Sequence, residues 1–293
     1  MSPPPAEPGH VPVLADDTLR LLGPQPGETW VDCTTGGGGH ARRIAEQLGG
    51  TGRLIALDQD PTMLALAGGR LAGLPVELVH ANFDQLAEVL RGRGIDKVDG
   101  VLADIGFSSD QVNDPARGLS FKTDGPLDMR LDPTAGSTAA DLVNTLSEAA
   151  LADVLFEYGE ERKSRRVAKR IVERRRTKRF ETTADLADVV RSCVPRSGNI
   201  DPATRTFQAL RIAVNDELGS LDRLLAALPA VLKPGGRAGI ISFHSLEDRR
   251  VKHAFRNTDV WRVLTKKPVE ASDAEVAANP RARSAKLRVA VRV

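Results

Sequence analysis

Short apolar runs closed by an acid or a histidine recur through the first third of the chain. Thr29–Asp32, Arg53–Asp58, Val76–His80 and Val98–Asp104 each have strand length and strand composition. Between them lie segments of helical pattern at 41–48, 61–71 and 84–91, the second opened by Pro61, whose missing N–H is harmless in a first helical turn. Strands alternating with helices predict an open parallel sheet covered on both faces, a doubly wound α/β fold. A fifth run, 237–242, comes only after a gap of more than a hundred residues. Leu232-Lys233-Pro234-Gly235-Gly236 before it reads as a helix stop and turn. At the end, Leu287, Val289, Val291 and Val293 alternate as one face of a half-buried strand.

The gap has its own character. Residues 114–136 are rich in Gly, Pro and Asp without periodicity, which predicts a long loop or a site segment. Four helices follow. Ser147 caps the first, with Leu151, Val154, Leu155 and Tyr158 on one stripe. The second is basic, 162–176, and the third starts near Thr183 with Leu186, Val189, Val190 and Cys193 inward. The fourth runs from Pro202 with Phe207, Leu210, Val214 and Leu218 at helical spacing. The expected organisation is a sheet domain in two parts, 1–110 and 206–293, interrupted by a helical substrate-recognition domain at 111–205.

The first strand is followed by Gly36-Gly37-Gly38-Gly39-His40-Ala41. Glycines at a strand-to-helix turn let the backbone approach a ligand, and free N–H groups at the helix start favour an anionic group. Asp58, about twenty residues on, can accept both hydroxyls of a ribose. The loop alone fits a nicotinamide dinucleotide and S-adenosylmethionine equally well. Three features favour the second. Asp32 just before the loop suits an ammonium and would repel a pyrophosphate. Asn82 and Phe83 offer an amide and a ring to adenine. Asp104-Ile105-Gly106-Phe107-Ser108-Ser109 forms a polar cluster at the carboxyl edge of the fourth strand, where open α/β sheets place their sites. A dehydrogenase would also need a second mononucleotide-binding half, and beyond residue 110 the pattern turns helical.

Charge and composition narrow the class. Lys plus Arg number 41 against 39 acids in 293 residues, so a basic partner surface has to be local. Arg162 to Arg179 concentrates that charge, interrupted only by Glu173 and preceded by Glu160 and Glu161, and predicts a phosphate-binding surface. Tyr158, Phe180 and Phe207 are aromatic neighbours that could stack on bases, although Tyr158 and Phe207 lie on apolar stripes and read rather as core. Two cysteines, Cys33 and Cys193, make neither a disulfide framework nor a zinc cluster, and no metal site is expected. The Pro-rich start lacks an apolar signal core and no run of 18 apolar residues occurs, so the expectation is a soluble cytoplasmic protein without a membrane partner.

Long stretches of the chain resemble one family, the bacterial RsmH (MraW) methyltransferases. They include His10-Val11-Pro12-Val13-Leu14, Asp32-Cys33-Thr34-Thr35-Gly36-Gly37-Gly38-Gly39-His40 and Asp104 to Gln111. Arg117-Gly118-Leu119-Ser120-Phe121, Asp124 to Arg130, Pro202 to Arg211, Ser242 to Arg249 and Asn279 to Arg288 continue the likeness over nearly the whole chain. Cys33 stands where the family usually has Gly or Ala, and Ile105-Gly106-Phe107 where it has Leu-Gly-Val. The resemblance implies a class I methyltransferase sheet and S-adenosylmethionine-dependent methylation of N4 of a cytidine in 16S ribosomal RNA. The substrate would be rRNA within the small subunit or a late assembly intermediate, and nothing in the sequence opposes a homodimer. The cofactor set it implies is Gly38, Gly39, His40, Asp58, Phe83, Asp104 and Gln111.

Methylation at cytosine carbon 5 needs a thiolate, and both cysteines read as structural. An exocyclic amine needs no covalent step, only oxygens that accept its protons and align it with the methyl. Asp104 is the leading catalytic candidate, with Ser108, Ser109 and His244 behind it. Asp128 and Arg130 suit either a substrate floor or an ion pair. A small-molecule methyltransferase would not need the arginine-rich insert, and a non-catalytic assembly factor would have no use for the glycine loop.

Overall fold

The computed structural model describes residues 12–196 and 200–293; His10 and Val11 of the family-like stretches lie outside them. The chain forms two compact units, one of residues 1–106 and 218–293, the other of 107–217. In the first, eight strands make one sheet: β1 Thr29–Asp32, β2 Arg53–Asp58, β3 Val76–His80, β4 Val98–Asp104, β5 Leu232–Ser242, β6 Trp261–Val263, β7 Val269–Glu270 and β8 Lys286–Arg292. Their order is β3-β2-β1-β4-β5-β8-β6, with β7 also on β8. β1 to β5 are parallel and β8 is antiparallel to β5, β6 and β7.

The central strands carry apolar residues on both faces because both faces are covered. Val31, Ile55, Leu57, Val101, Ala103 and Ile240 enter one cluster, while Trp30, Leu54, Leu102, Ile241 and Leu287 enter the cluster on the other side. The indole of Trp30 lies over β4 at Gly100, its register partner, where any Cβ would run into the ring. Register also sets the site. Asp32 pairs with Leu102, Asp58 with His80 and Asp104 with Ile241, so three carboxyl groups stand along one edge of the sheet.

Two sheet expectations need correction. β8 is buried on both faces because it lies between β5 and β6; Val289 and Ala290 are both inaccessible, and Val293 is exposed beyond the strand's end. β5 begins at Leu232, pairing there with Val98, and a register shift absorbs the Pro-Gly-Gly segment read as a turn.

The second unit has its own core of Leu127, Met129, Val143, Leu151, Leu155, Val167, Ile171, Phe180, Leu186, Val190 and Leu210, among others. Its helices are Ala139–Thr145, Glu148–Glu157, Ser164–Arg175, Thr183–Cys193 and Ala203–Asn215. Ser147 caps the second through the N–H of Ala150 at 3.2 Å. The expected fourth helix stops short: Asp216 adopts a left-handed backbone with φ of 46°, and Leu218 belongs to the next helix, Glu217–Val231. The boundary expected at 205/206 falls inside Ala203–Asn215, and the compact unit runs to Glu217. Among the described residues no helix is long and apolar enough to cross a membrane.

Candidate active site

The glycine loop leaves β1 at Asp32 and enters the helix Gly39–Leu48. Gly36 and Gly38 have φ of 50° and 87°, backbone that side chains strain to adopt. Within 4 Å of a Cβ built on Gly36 there is nothing, so the loop presents bare backbone on an open side. It is tied to β2 at three points: Thr35 N–H and Oγ1 both donate to the Leu57 carbonyl, at 2.8 and 2.9 Å, and Gly36 N–H donates to Asp58 at 2.7 Å. Asp58 takes a second backbone donor, the N–H of Asp60, at 2.9 Å. Arg70 donates to the Gly37 carbonyl at 2.9 Å and pins the loop from the far side.

Three carboxyl groups face one another across this edge. Asp32 is fully buried, accepts one N–H, from Thr34 at 3.1 Å, and keeps Oδ2 without a partner. Burial pushes it up to about 7, against the Thr34 N–H and with help from the Asp58 charge. Burial likewise lifts Asp58 to about 6, although the N–H groups of Asp60 and Gly36 oppose it. Asp104 is raised well above the usual carboxylate range, by burial first and then by the charges of Asp32 and Glu247. Its Oδ1 also has no partner, while 19% of its side chain stays accessible. Thr34 Oγ1 accepts the Asp104 N–H at 2.6 Å, and His40 Nε2 lies 3.6 Å from Asp104 Oδ2. Thr34 and Arg70 were not singled out from the sequence, although Thr34 stands in the middle of the family-like stretch.

Other sequence-named residues have local duties. Asn82 caps the turn Phe83–Gln85, donates to Gln59 at 3.1 Å, and leaves Phe83 packed in the core beside Val31 and Leu57. Ser108 and Gln111 form a reciprocal capping box at the N-terminal end of the helix Ser109–Asn113, Ser108 N–H donating to Gln111 Oε1 at 2.8 Å and Gln111 N–H to Ser108 Oγ at 3.1 Å. His244 precedes the helix Ser245–Ala254, and Glu247, three residues on, accepts its N–H through Oε2 at 3.2 Å; Oε1 lies 3.1 Å from the ring Nε2, yet both ring nitrogens are buried without a hydrogen-bond partner. Asp128 and Arg130 form a two-bonded ion pair at 2.8 and 2.7 Å, favouring the second of the two roles considered for them.

Neither cysteine is poised as a nucleophile. Cys33 is buried beneath the sheet edge, and burial together with the Asp32 charge holds its thiol well above normal; burial raises Cys193 as well. In the helical unit, Phe180 and Phe207 are buried and cannot stack on bases. Arg175 donates to the carbonyls of Val143 and Leu146, and Arg174 to that of Lys178, so these two arginines close helix ends. Arg165, Arg166, Lys169 and Arg176 remain exposed along one face.

A parallel sheet with an antiparallel strand set between its last two members, a glycine loop after β1 and acids ending β1, β2 and β4 define a class I methyltransferase. The model of the MraW methylase family matches residues 7–293. The chain is 52% identical over 300 residues to the ribosomal RNA small subunit methyltransferase H of Sorangium cellulosum, covering all of this chain and 95% of that protein. It is 50% identical to the protein of the same name from Geotalea uraniireducens, over 97% of this chain and 98% of the other, and 50% to that from Deinococcus radiodurans, over 97% and 89%. The chain belongs to the MraW methylase family.

Proposed function

We propose that the protein transfers a methyl group from S-adenosylmethionine to the exocyclic N4 of a cytidine in small-subunit ribosomal RNA. The observation that carries this reading is the pair of buried carboxylate oxygens, on Asp32 and Asp104, left without partners beside a bare glycine loop. Buried carboxyl oxygens without partners call for cationic or donating atoms, and a nearby positive charge would draw these raised carboxyls into their ionised form. An ammonium, a sulfonium and ribose hydroxyls meet that need, and a pyrophosphate does not. Asp58 would hold the ribose hydroxyls, Asp32 the ammonium side, and Gly38, Gly39 and His40 the loop side. Phe83 and Gln111 complete the set implied by the family.

When bound, the cofactor supplies an electrophilic methyl on a positively charged sulfur. Asp104 accepts a hydrogen bond from the N4 amine and turns its lone pair toward that methyl. Thr34, accepting the Asp104 N–H, keeps the end of β4 in place for this task. Asp104, once ionised by the positive charge of a bound cofactor, or water would take the surplus proton that N4 loses on receiving the methyl. Ser108 and His244 are orienting groups at most, since each already closes a helix end. The cytidine has to be unpaired or flipped to reach the site.

The substrate is carried over from the relatives' names, and exposed Arg165, Arg166 and Lys169 support an RNA partner. We infer small-subunit particles in the cytoplasm as its setting. Nucleoside mass spectrometry of treated rRNA tests the reading. N4-methylcytidine is expected from the parent and from Cys33→Ala and Cys193→Ala, and none from Asp104→Ala or Asp104→Asn. Appearance of 5-methylcytidine, or binding of NAD in place of S-adenosylmethionine, would overturn it.

A further inference from the structure

Outside the acid-lined edge, the sheet unit carries a second built feature. An open groove of about 570 Å³ lies between the helices Glu217–Val231 and Ser245–Ala254 and the start of β6. Its rim is polar and cationic, with Arg249, Arg250, His253 and Asn257, and its floor is apolar, with Leu225 and Trp261. The stretch from Arg249 to Lys267 holds seven lysines and arginines and the single acid Asp259, on a chain whose whole excess is two charges. Two of the nearby acids are committed elsewhere or to the rim itself: Asp248 binds Arg288 at 2.6 and 3.1 Å, and Asp222 binds Arg250 at 3.2 Å. Arg249, Lys252, His253 and Arg256 are exposed, and among the described residues no acid pairs with them.

We propose that this groove docks the sugar–phosphate backbone of an RNA strand, as a binding surface separate from the acid-lined edge. Unneutralised cations side by side repel, and a polyanion is the partner that removes the repulsion and gains counterion release. Arg249 and His253 are four residues apart, so their side chains leave one helix face about 6 Å apart along its axis, a step suited to successive phosphates of a single strand. The floor offers no ring for base stacking: Trp261 is only 3% exposed and packs on Phe255 with centroids 5.2 Å apart. The groove therefore holds backbone without reading sequence. It rests on the rRNA reading for the identity of the strand, not for the chemistry of the binding.

The test uses the full chain and a fluorescent single-stranded RNA of about twenty nucleotides, titrated by anisotropy across a salt series. R249A/K252A/R256A should lower the log–log salt slope by roughly two, about 0.7 for each phosphate of a single strand that is no longer neutralised. R249K/R256K should restore most of it. Calorimetry should give the same S-adenosylmethionine affinity for all variants, which certifies their folding. With rRNA as substrate, the triple variant should raise KM for RNA more than it lowers kcat. An unchanged salt slope would overturn the groove assignment, even if the parent methylates rRNA. A slope that falls only because sedimentation shows a lost dimer would overturn it too, making the groove a self-association surface. If the parent fails to methylate rRNA while the slope still falls, the methylation reading fails and the groove stands.

Discussion

Cofactor binding should release protons. In the empty site Asp32 titrates at about 7 and Asp58 at about 6, both raised by burial. At pH 6.5 the pair then holds about one proton, roughly three-quarters of it on Asp32. A ligand that presents an ammonium to one acid and hydroxyls to the other needs both ionised. The penalty for ionising them is about 22-fold at pH 6 and about 2-fold at pH 7, so affinity should fall roughly tenfold, ~1.4 kcal/mol, from pH 7 to pH 6. Asp104, raised well above normal, adds to the effect wherever the bound sulfonium ionises it. The window stays below the cofactor's own amino group, which titrates near 8. Calorimetry at pH 6.5 in buffers of different ionisation enthalpy reads the proton count directly, and about one proton should be released. The single variant Asp32→Asn should remove most of the pH dependence. An affinity flat between pH 6 and 7, with heat independent of buffer, would refute the assignment of Asp32 and Asp58 to a cationic ligand.

The same acids set the stability of the empty protein. A carboxyl whose folded pKa is raised favours folding below its ordinary value near 4, and that advantage is lost as pH rises through 6 to 7. Asp32→Asn should therefore raise the melting temperature of the cofactor-free protein at pH 8, with a ceiling of about 4 kcal/mol from a shift of three units, while weakening cofactor binding. A lowered melting temperature would count against a strained Asp32. In the helical unit, Arg175→Ala should cost about 1.5–3 kcal/mol of stability by stripping two carbonyls of a charged donor, with no change in the salt slope of RNA binding. Replacing Arg165, Arg166 and Lys169 should do the reverse, and denaturant melts beside anisotropy titrations distinguish the two.

Where burial is two-sided, the strands announce themselves. The middles of β1, β2 and β4, Trp30-Val31, Leu54 to Leu57 and Val101 to Ala103, are apolar because both of their faces are covered, and the acids that end them mark the sheet edge. β8 misleads because Arg288 looks like a solvent-facing alternate position. It is in fact buried, and Asp248 neutralises it from 40 residues away, a partner no local pattern reveals. β6 and β7, at three and two residues, exist only through pairing with β8. The break at Asp216 is invisible since apolar spacing runs through it without Gly or Pro. The arginine run reads as one surface because composition cannot tell Arg165, which faces out, from Arg175, which turns in to close the helix Ala139–Thr145. The glycine loop and its three acids are legible since each follows directly from a strand end. Thr34 and Arg70 are not, as their roles are hydrogen bonds made across 70 and 33 residues.

The arrangement of those acids also explains why the site can be both buried and available. Two of the carboxyls are fixed by backbone, Asp32 by Thr34 N–H and Asp58 by Gly36 and Asp60 N–H, and the Thr34 hydroxyl holds the main chain of Asp104. Strand ends and a loop stitched to β2 do not need a ligand to take up this geometry, so little ordering remains to oppose binding. What the backbone does not supply is a counter-charge, and the raised carboxyls of Asp32 and Asp104 measure that shortfall. A neutral ligand of similar shape would leave the shortfall in place. On the proposed assignment a sulfonium would remove it, and the spent cofactor would lack that charge. The site's complementarity would then fall after transfer, which would favour exchange of the spent cofactor over its retention.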